Sequence, residues 1–378
     1  MRSFDVVVVG AGLSGLHTAR LLAERDLNVL VVDRRRTLTA GIRTTGIFVR
    51  RTLDDFDLPE HLLGPGVRDV LLYPPSRRAP IHLRSDRDEF RVADMAAVYL
   101  HASDAAAAAG AQVRLGVRYE HFTKGLLRLA GAEPVRTRFV VGADGARSTV
   151  ARDLGLGVNR RLLIGAEIVH PVTPDSEPPA FHCVLDPRVA PGYLGWVIDD
   201  GRHAHVGVAG TEGAMRSGVR HLLDRFAVDA PGRTAAAGPL ERRGGPIPVG
   251  GVLRRLACPD GLLVGDAAGA VSPLTAGGLD PCLRLSALAA SVTVEYLRTG
   301  DQDVLRGYDG GALRARFRGR LAMRRAFGGL RSVAATEAAV ALLRGRAGRA
   351  LAARVLFGDG SFPDVTHVAH IAGLPAER

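Results

Sequence analysis

Apolar positions follow two different patterns along the chain, and each pattern predicts a different kind of sheet. Near the amino terminus, residues 6–9 are apolar without interruption, which is typical of a strand buried on both faces of a parallel sheet. Short apolar runs then alternate with segments of helical length up to about residue 117. The elements predicted here are strands at 6–9, 28–32 and 112–117 and helices at 48–56 and 95–109.

The second pattern begins at about residue 162, where strands follow one another without long helices between them. The predicted strands at 163–170, 180–185, 192–198 and 204–209 are typical of an antiparallel sheet. Two earlier strands, at 67–73 and 79–84, are expected to belong to the same lobe, whereas 126–129 and 138–141 resemble a hairpin. The remaining predictions are a helix at 215–226, a connection at 244–248, a strand at 261–264, a helix at 281–297 and helical segments up to 353.

Together the two patterns predict an α/β fold with an α+β second lobe. A Rossmann-like nucleotide-binding domain is expected from residues 1–66, 93–160 and 256–300. A mainly antiparallel substrate-binding domain is expected from 67–92 and 161–255, and a helical carboxy-terminal segment from 301–378.

A glycine motif follows the first predicted strand. Gly10, Gly12 and Gly15 fit G-x-G-x-x-G, with Leu13 and Ser14 inside the motif, and Asp33 closes the second predicted strand. In that context the glycines permit a tight turn and a close approach to a diphosphate, and the acid is spaced to bind an adenosine ribose. Arg34 follows the acid and is included in the predicted site. Residues 34–36 are compatible with a 2′-phosphate, but the sequence favours an exposed, solvated basic turn.

Two later segments carry similar chemistry. Asp144 lies in a glycine-containing segment at 140–148, and Gly265 and Asp266 are followed by Gly277, Gly278 and Leu279 before the long helix. A carboxylate binds sugar or ribityl hydroxyls, and a helix start directs N–H groups at negative charge such as that of a reduced flavin. We therefore expect all three segments to surround one extended ligand, with Val117 as a further contact.

These motifs together resemble the FAD enzymes of the para-hydroxybenzoate hydroxylase fold, and within them the geranylgeranyl reductase-like family. Gly269 stands where aromatic hydroxylases usually carry His, and Arg43-Thr44-Thr45-Gly46 resembles the reductases' loop beside the flavin ring. The segment 191–198, Pro-Gly-Tyr-Leu-Gly-Trp-Val-Ile, resembles their substrate strand, and 245–248, Gly-Pro-Ile-Pro, recurs downstream. The resemblance covers about residues 5–297 and implies FAD as cofactor, with Arg43, Thr44 and Thr45 near its ring.

The chain departs from that family at several positions. Leu194, Ile198 and Asp199 replace the strand's usual Tyr, Phe and Pro, Thr44 replaces the loop cysteine, and Met95 stands where these folds often carry an arginine that touches the cofactor. By strand alternation Leu194, Trp196 and Ile198 share one face, which we expect to form an apolar substrate wall; ordinary packing of Trp196 is the alternative.

Composition sets further limits. The net charge is +11, Lys124 is the only lysine, and arginines are concentrated between 314 and 354, which indicates either a solvated helical face or a surface for acidic lipid headgroups. Cys183, Cys258 and Cys282 are widely spaced and read as reduced thiols of a cytoplasmic protein, with peripheral contact at the inner membrane face as an addition. No secretory signal, spanning segment or nucleic-acid partner is expected.

No catalytic residue or metal ligand is assigned. His182, His203 and His205 flank the substrate strand, but single histidines on strands are more often structural. The first functional hypothesis is an FAD-dependent reductase of a carbon–carbon double bond in an apolar, isoprenoid-like or secondary-metabolite substrate. The alternatives are an FAD-dependent monooxygenase of an aromatic or polycyclic substrate and a non-catalytic flavin-holding module at a membrane surface. A halogenase is disfavoured, because related flavin halogenases use a lysine near the flavin channel. The only lysine of this chain, Lys124, lies in a predicted peripheral turn.

The electron donor remains open, because no second nucleotide motif is present. NAD(P)H binding transiently, a ferredoxin or a flavin reductase would each suffice. The sequence also leaves open the substrate's identity and the oligomeric state.

Overall fold

A computed structural model describes residues 1–172, 178–215, 218–232, 238–308 and 310–358. The strands in chain order are β1 (Ser3–Val9), β2 (Val29–Asp33), β3 (Ile47–Val49), β4 (Leu63–Val67), β5 (Asp69–Tyr73), β6 (Ile81–Arg84), β7 (Phe90–Ala93), β8 (Gln112–Leu115), β9 (Arg118–Thr123), β10 (Leu126–Ala130), β11 (Val135–Gly142), β12 (Leu162–Pro171), β13 (Ala180–Val184), β14 (Gly195–Asp199), β15 (His203–Thr211), β16 (Glu241–Pro248), β17 (Ala257–Cys258) and β18 (Gly261–Leu263). The α-helices are α1 (Leu13–Ala23), α2 (Arg50–Asp55), α3 (Met95–Ala108), α4 (Thr149–Asp153), α5 (Glu212–Met215), α6 (Val219–Val228), α7 (Leu279–Thr299), α8 (Gln302–Arg306), α9 (Gly310–Ala315), α10 (Arg318–Gly328), α11 (Val333–Leu343) and α12 (Arg346–Leu356), and short 3₁₀ helices lie at Glu60–Leu62 and Gly265–Ala268.

The first sheet has the strand order β17-β18-β11-β1-β2-β8. Its central pairings are parallel, while β9 and β10 extend it as antiparallel strands beside β11. Val6, Val7 and Val8 are completely buried, because helices cover this part of the sheet and α1 packs between α3 and α7. Burial on both faces of a parallel sheet, as predicted from the sequence, therefore accounts for the uninterrupted apolar run at 6–9.

The second sheet has the order β16-β12-β15-β14-β13-β5-β6. Its pairings are antiparallel except between β13 and β5, as expected for strands joined without long helices. Val197, Val206 and Phe226 form part of a core between this sheet and α6. The opposite face, which carries Trp196, packs against side chains of the carboxy-terminal helices.

A third, small sheet has the order β3-β7-β4, and all its pairings are antiparallel. Leu343, Leu356 and Phe357 pack from α11, α12 and the residue after α12 onto a cluster that includes Phe90 of β7 and Ile81 of β6. The helical carboxy-terminal segment therefore contributes to the core around the second and third sheets, and it ends in described structure at residue 358.

The structure corrects several sequence predictions of local structure. The helix expected at 48–56 is β3 followed by α2, and the one expected at 215–226 is α5 and α6 on either side of residues outside the described chain. The connection expected at 244–248 belongs to edge strand β16, where Pro246 and Pro248 are tolerated because an edge strand has one unpaired side. Strand β9, absent from the prediction, pairs with β10.

Candidate functional site

A single continuous cavity of about 1160 Å³ lies between the first sheet, the second sheet and the carboxy-terminal helices. Gly12, Asp33 and Asp266, from the three remote segments, all line it. The predicted cofactor residues on its wall are Gly10, Gly12, Leu13, Ser14, Asp33, Arg34, Arg43, Thr44, Thr45, Val117, Asp144, Asp266, Gly277, Gly278 and Leu279. Gly15 and Gly265 do not line the cavity.

The glycine turn between β1 and α1 is shaped by close backbone packing. Gly10 has a φ of +113°, and a Cβ there would lie 2.3 Å from the carbonyl oxygen of Ala143. A Cβ on Gly15 would lie 1.9 Å from the carbonyl oxygen of Gly10, and one on Gly265 would lie 2.4 Å from Ser14 Oγ. These three glycines let the wall elements approach one another.

Gly12 differs from them, because a Cβ built on it meets no heavy atom within 4 Å. It is the N-cap of α1 and carries no side-chain capping bond. Packing within the protein therefore does not require glycine at this position. The uncapped amino terminus of α1, open to the cavity, could hold an anionic group such as a diphosphate.

Asp33 is already fully hydrogen-bonded within the described chain. Its carboxylate accepts the N–H of Ala11 at 2.8 Å, the N–H of Arg35 at 2.8 Å, and two guanidinium bonds from Arg35 at 3.2 and 3.1 Å. Burial would raise the pKa of Asp33, but the hydrogen bonds and charge of Arg35 outweigh it and lower the pKa. A ribose hydroxyl at Asp33 would share or displace Arg35, whereas Arg34 stays exposed.

Two more carboxylates face the cavity from other segments. Asp144 Oδ2 accepts the N–H groups of Thr149 and Val150, while its buried Oδ1 has no hydrogen-bond partner in the described part of the chain. Burial raises the pKa of Asp266 to about 6. Asp266 also lies close to the start of α7, because its Oδ1 would be 3.6 Å from a Cβ built on the N-cap residue Gly278. An orphaned acceptor and two open helix starts in one cavity fit a dinucleotide such as FAD.

The substrate half of the cavity is apolar. Leu194 and Trp196 line it, as does Tyr193, which alternation assigned to the opposite face. The alternation fails because β14 begins only at Gly195, so residues 193 and 194 precede the regular strand. Ile198, predicted for the wall, is buried and does not line the cavity; it lies in an apolar cluster against which Leu194 and Trp196 also pack.

The helical carboxy-terminal segment supplies much of this apolar wall, which sequence reasoning did not anticipate. Its lining residues are Met323, Ala326, Phe327, Leu330, Leu343, Leu351, Ala352, Val355, Leu356 and Phe357. The sequence signal was available in the amphipathic pattern of α10 and α12, but it does not say which surface their apolar faces cover.

Other wall residues were also missed. Tyr99 lies one helical turn after Met95 and lines the cavity, with the Arg35 guanidinium 5.6 Å from its ring centre. Met95 itself is buried beside Gly46 and does not line the cavity. Glu167, in the middle of β12, faces the cavity and is 3% exposed. In the sequence, Glu167 is the one acid in a mainly apolar strand, which could have marked it as a candidate site residue.

The three histidines near the substrate strand all have partners. His182 Nδ1 lies 3.0 Å from the Tyr73 hydroxyl, and burial lowers its pKa. His203 and His205 contact Asp200, and His205 also contacts Glu167. Within the described ranges, no group of three or more His, Cys, Asp or Glu side chains is placed to hold a metal ion.

Comparison with known proteins agrees with this geometry. Residues 3–185 match the FAD binding domain family. The digeranylgeranylglycerophospholipid reductase 1 of Methanopyrus kandleri is 30% identical over 317 residues, which cover 79% of this chain and 82% of that protein.

Solved structures share the fold. A geranylgeranyl bacteriochlorophyll reductase-like protein from Thermoplasma acidophilum superposes with a TM-score of 0.80 at 22% identity, covering 98% of this chain and 100% of that one. A probable FAD-dependent monooxygenase from Pseudomonas aeruginosa superposes with a TM-score of 0.61 at 20% identity, covering 92% and 99%. By sequence and fold together, the chain belongs to the geranylgeranyl reductase-like family of FAD-dependent oxidoreductases with the para-hydroxybenzoate hydroxylase fold.

Proposed function

We propose that this protein reduces a carbon–carbon double bond of an apolar, isoprenoid-like substrate, using reduced FAD as the hydride source. The observation that carries the proposal is the continuity of one cavity, which runs from the glycine turn and Asp33 to the apolar wall at Trp196. Its volume of about 1160 Å³ exceeds the roughly 300–1,000 Å³ typical of single-ligand pockets, so it suits a cofactor and a substrate together.

The cofactor half offers a partner for each part of FAD. The amino terminus of α1 at Gly12 would hold the diphosphate, and Asp33 with Arg35 would hold the adenosine ribose. The N–H groups at Gly277–Leu279, with the start of α7, would stabilise negative charge on the reduced ring system. When bound, the cofactor supplies hydride; the chain supplies binding, orientation and exclusion of water.

The substrate half favours a long apolar molecule. Aliphatic and aromatic side chains from the second and third sheets and from helices α10, α11 and α12 line it. The relatives that share the family are named for reduction of a digeranylgeranyl lipid. Arg320 brings a half-buried guanidinium to the same wall and donates to Ser272 Oγ at 3.1 Å. A substrate with a polar end and an isoprenoid tail would satisfy both features.

The carboxy-terminal helices support a peripheral membrane contact as part of this proposal. Leu351 both lines the cavity and is half-exposed, and Leu342 on the preceding helix is largely exposed. Of the arginines between 314 and 354, the exposed ones are Arg316, Arg318, Arg325, Arg331, Arg344, Arg346, Arg349 and Arg354. Apolar side chains among arginines favour the surface of an anionic bilayer, from which a lipid could enter.

Vesicle sedimentation tests this contact. We expect the protein to sediment with vesicles of anionic phospholipid and to be released by salt, and not to sediment with zwitterionic vesicles. Replacing Leu342 and Leu351 with Ser should weaken binding, whereas equal sedimentation of both proteins would contradict a contact at these helices. In the described part of the chain, no helix is long and apolar enough to cross a bilayer.

Product analysis tests the reaction. The FAD-loaded protein would be incubated with a geranylgeranyl lipid and, in parallel, NADPH, reduced ferredoxin or reduced free flavin, each with and without oxygen. We expect a product heavier by two hydrogens, formed without oxygen, from at least one donor. A product that gains one oxygen atom, formed only in air, would instead establish the monooxygenase alternative.

A further inference from the structure

A chain of charged side chains runs along one face of the second sheet, from the cavity to the turn between β14 and β15. Glu167 lies on β12 and contacts His205 on the neighbouring strand β15, with His205 Nδ1 3.1 Å from Glu167 Oε1. The other ring nitrogen, Nε2, lies 3.2 Å from Asp200 Oδ2, and His203 Nδ1 lies 3.2 Å from the same oxygen. Hydrogen-bonding partners therefore follow one another without a gap.

The inner end of this chain reaches the cavity. Glu167 lines it, and its Oε2 accepts the hydroxyl of Thr45 and, at 3.3 Å, the indole N–H of Trp196. Thr45 belongs to the loop that resembles the reductases' segment beside the flavin ring, and Trp196 belongs to the substrate wall. Glu167 thus sits between the two halves of the cavity, where cofactor and substrate would meet.

The outer end reaches solvent. The side chain of His205 is 3% exposed, that of Asp200 12% and that of His203 37%. Asp200 is held in place because Oδ1 accepts the N–H groups of Arg202 and His203 at 2.8 and 2.6 Å. Exposure therefore rises steadily along the chain, and His203 can exchange protons with water.

The two neighbouring carboxylates keep His205, at the centre of this series of side chains, protonated. Burial would lower the pKa of His205, but Glu167 and Asp200 on its two sides raise it to about 9. Burial would raise the pKa of Glu167, but His205, Thr45 and Arg243 together lower it.

The other charged groups around this pair lie on neighbouring elements. Arg243 on β16 lies 3.7 Å from Glu167 and pairs with Glu241, and Asp199 precedes Asp200. At neutral pH the resting arrangement is an imidazolium between two carboxylates.

We propose that Glu167, His205, Asp200 and His203 form a proton relay that supplies the proton required when the double bond is saturated; this rests on the proposed function. Saturation breaks the π bond and forms two C–H bonds, one from the hydride of reduced FAD, which carries both electrons, and one from a proton. His205 passes its proton to Glu167, which delivers it at the cavity, directly or through the Thr45 hydroxyl. Asp200 and His203 then restore the proton of His205 from water.

A purely structural role is the competing explanation, because a buried ion pair can also hold two strands together. The two roles differ in their pH dependence. A relay needs His205 protonated, so kcat should fall as the pH rises through the pKa of His205, near 9. Removing either flanking carboxylate should lower that pKa and move the decline of kcat to lower pH.

The test compares Glu167→Gln with the wild-type FAD-loaded protein, and Asp186→Asn serves as the matched control. Asp186 is also a buried carboxylate, paired with Arg77 and Arg188, but it does not line the cavity. We expect Glu167→Gln to lower kcat for double-bond reduction by about 100-fold with KM nearly unchanged, and Asp186→Asn to leave kcat within about twofold. Asp200→Asn, at the outer end, is the second variant should Glu167→Gln fail to fold.

Nuclear magnetic resonance of ¹⁵N-histidine-labelled protein without FAD supplies a readout that does not depend on activity. We expect the His205 imidazole to titrate near pH 9 in the wild type and at least one pH unit lower in Asp200→Asn, and the alkaline decline of kcat to shift equally. An unshifted decline, or kcat unchanged in both variants, would overturn the relay. A wild-type protein that reduces no double bond would overturn the proposed function itself, and the relay with it.

Discussion

The two large sheets enclose the same cavity but contribute to it in different ways. The first sheet presents strand ends, glycines and helix starts, so the ligand would meet mainly backbone N–H groups and a few acids such as Asp33. The second sheet presents its face, and there Glu167 of β12 and His205 of β15 lie buried. Burying charges within a sheet is costly unless they are paired, as they are here.

The contrast separates binding from chemistry. Backbone groups at strand ends recognise the constant part of a cofactor, and their positions follow from local sequence. In the proposed function, side chains on the sheet face would select the substrate and move protons, and their positions depend on which strands pair. Substitutions in the two regions should therefore have different effects. Those in the first sheet should change stability and FAD affinity, whereas those in the second sheet should change the pH dependence of kcat and the KM for the substrate.

The largest effect is expected from Gly15→Ala. The added Cβ would lie 1.9 Å from the carbonyl oxygen of Gly10, a backbone atom that cannot move without shifting β1 against α1. We expect a loss of about 3 kcal/mol or more of unfolding free energy, measured by urea denaturation of the protein without FAD. A stability loss under about 1 kcal/mol would show that the turn is less tightly packed than the structure indicates.

The second prediction concerns pH and the second sheet. The pKa of His205 is raised from its usual 6.5 to about 9, so its pairing contributes fully below pH 6.5 and is lost as the pH rises through 9. This corresponds to about 3 kcal/mol. The unfolding free energy, measured by urea denaturation, should fall between pH 6.5 and 9.5 by about 3 kcal/mol more in the wild type than in His205→Asn. An equal fall in both proteins would contradict this prediction.

The third prediction uses the glycine that packing does not require. Gly12→Ala should fold with nearly unchanged stability, since its Cβ meets no atom within 4 Å, yet FAD affinity should fall at least about tenfold, or about 1.4 kcal/mol. Trp196 is the only tryptophan and lines the cavity, so its fluorescence can follow the titration. Unchanged affinity would place the diphosphate away from the start of α1.

The smallest effect is expected from Trp196→Phe. The substitution removes the indole N–H bond to Glu167 but keeps an aromatic ring over Gly207, the paired residue on β15. We expect a stability loss of about 1 kcal/mol and a change in KM that exceeds any change in kcat. A fall in kcat with constant KM would instead assign Trp196 a part in the chemical step.

Prediction from sequence succeeded where the signal was local. The parallel strands β1 and β2, helix α3 and the antiparallel succession of β12 to β15 follow from apolar patterns within a few residues. The glycine motifs indicated the cofactor for the same reason. The domain boundaries and the roles of the individual site residues stay predictions.

The failures required knowledge of pairing between distant segments. Glu167 and His205 are 38 residues apart and meet only because β12 and β15 are neighbours, so each looked like an isolated polar residue in a strand. Ile198 was assigned to the cavity wall by alternation, whereas its actual surroundings depend on how the third sheet and the carboxy-terminal helices cover β14. Strand β16 was missed because its glycines and prolines resemble a loop.

The most direct measurement of the central claim is a single turnover without oxygen. The holoprotein would be reduced chemically, freed of excess reductant and mixed anaerobically with a geranylgeranyl lipid, while the flavin absorbance is followed. We expect the flavin to become reoxidised and one double bond to be saturated for each flavin. A flavin that stays reduced until oxygen is admitted, with the lipid recovered unsaturated or oxygenated, would contradict it.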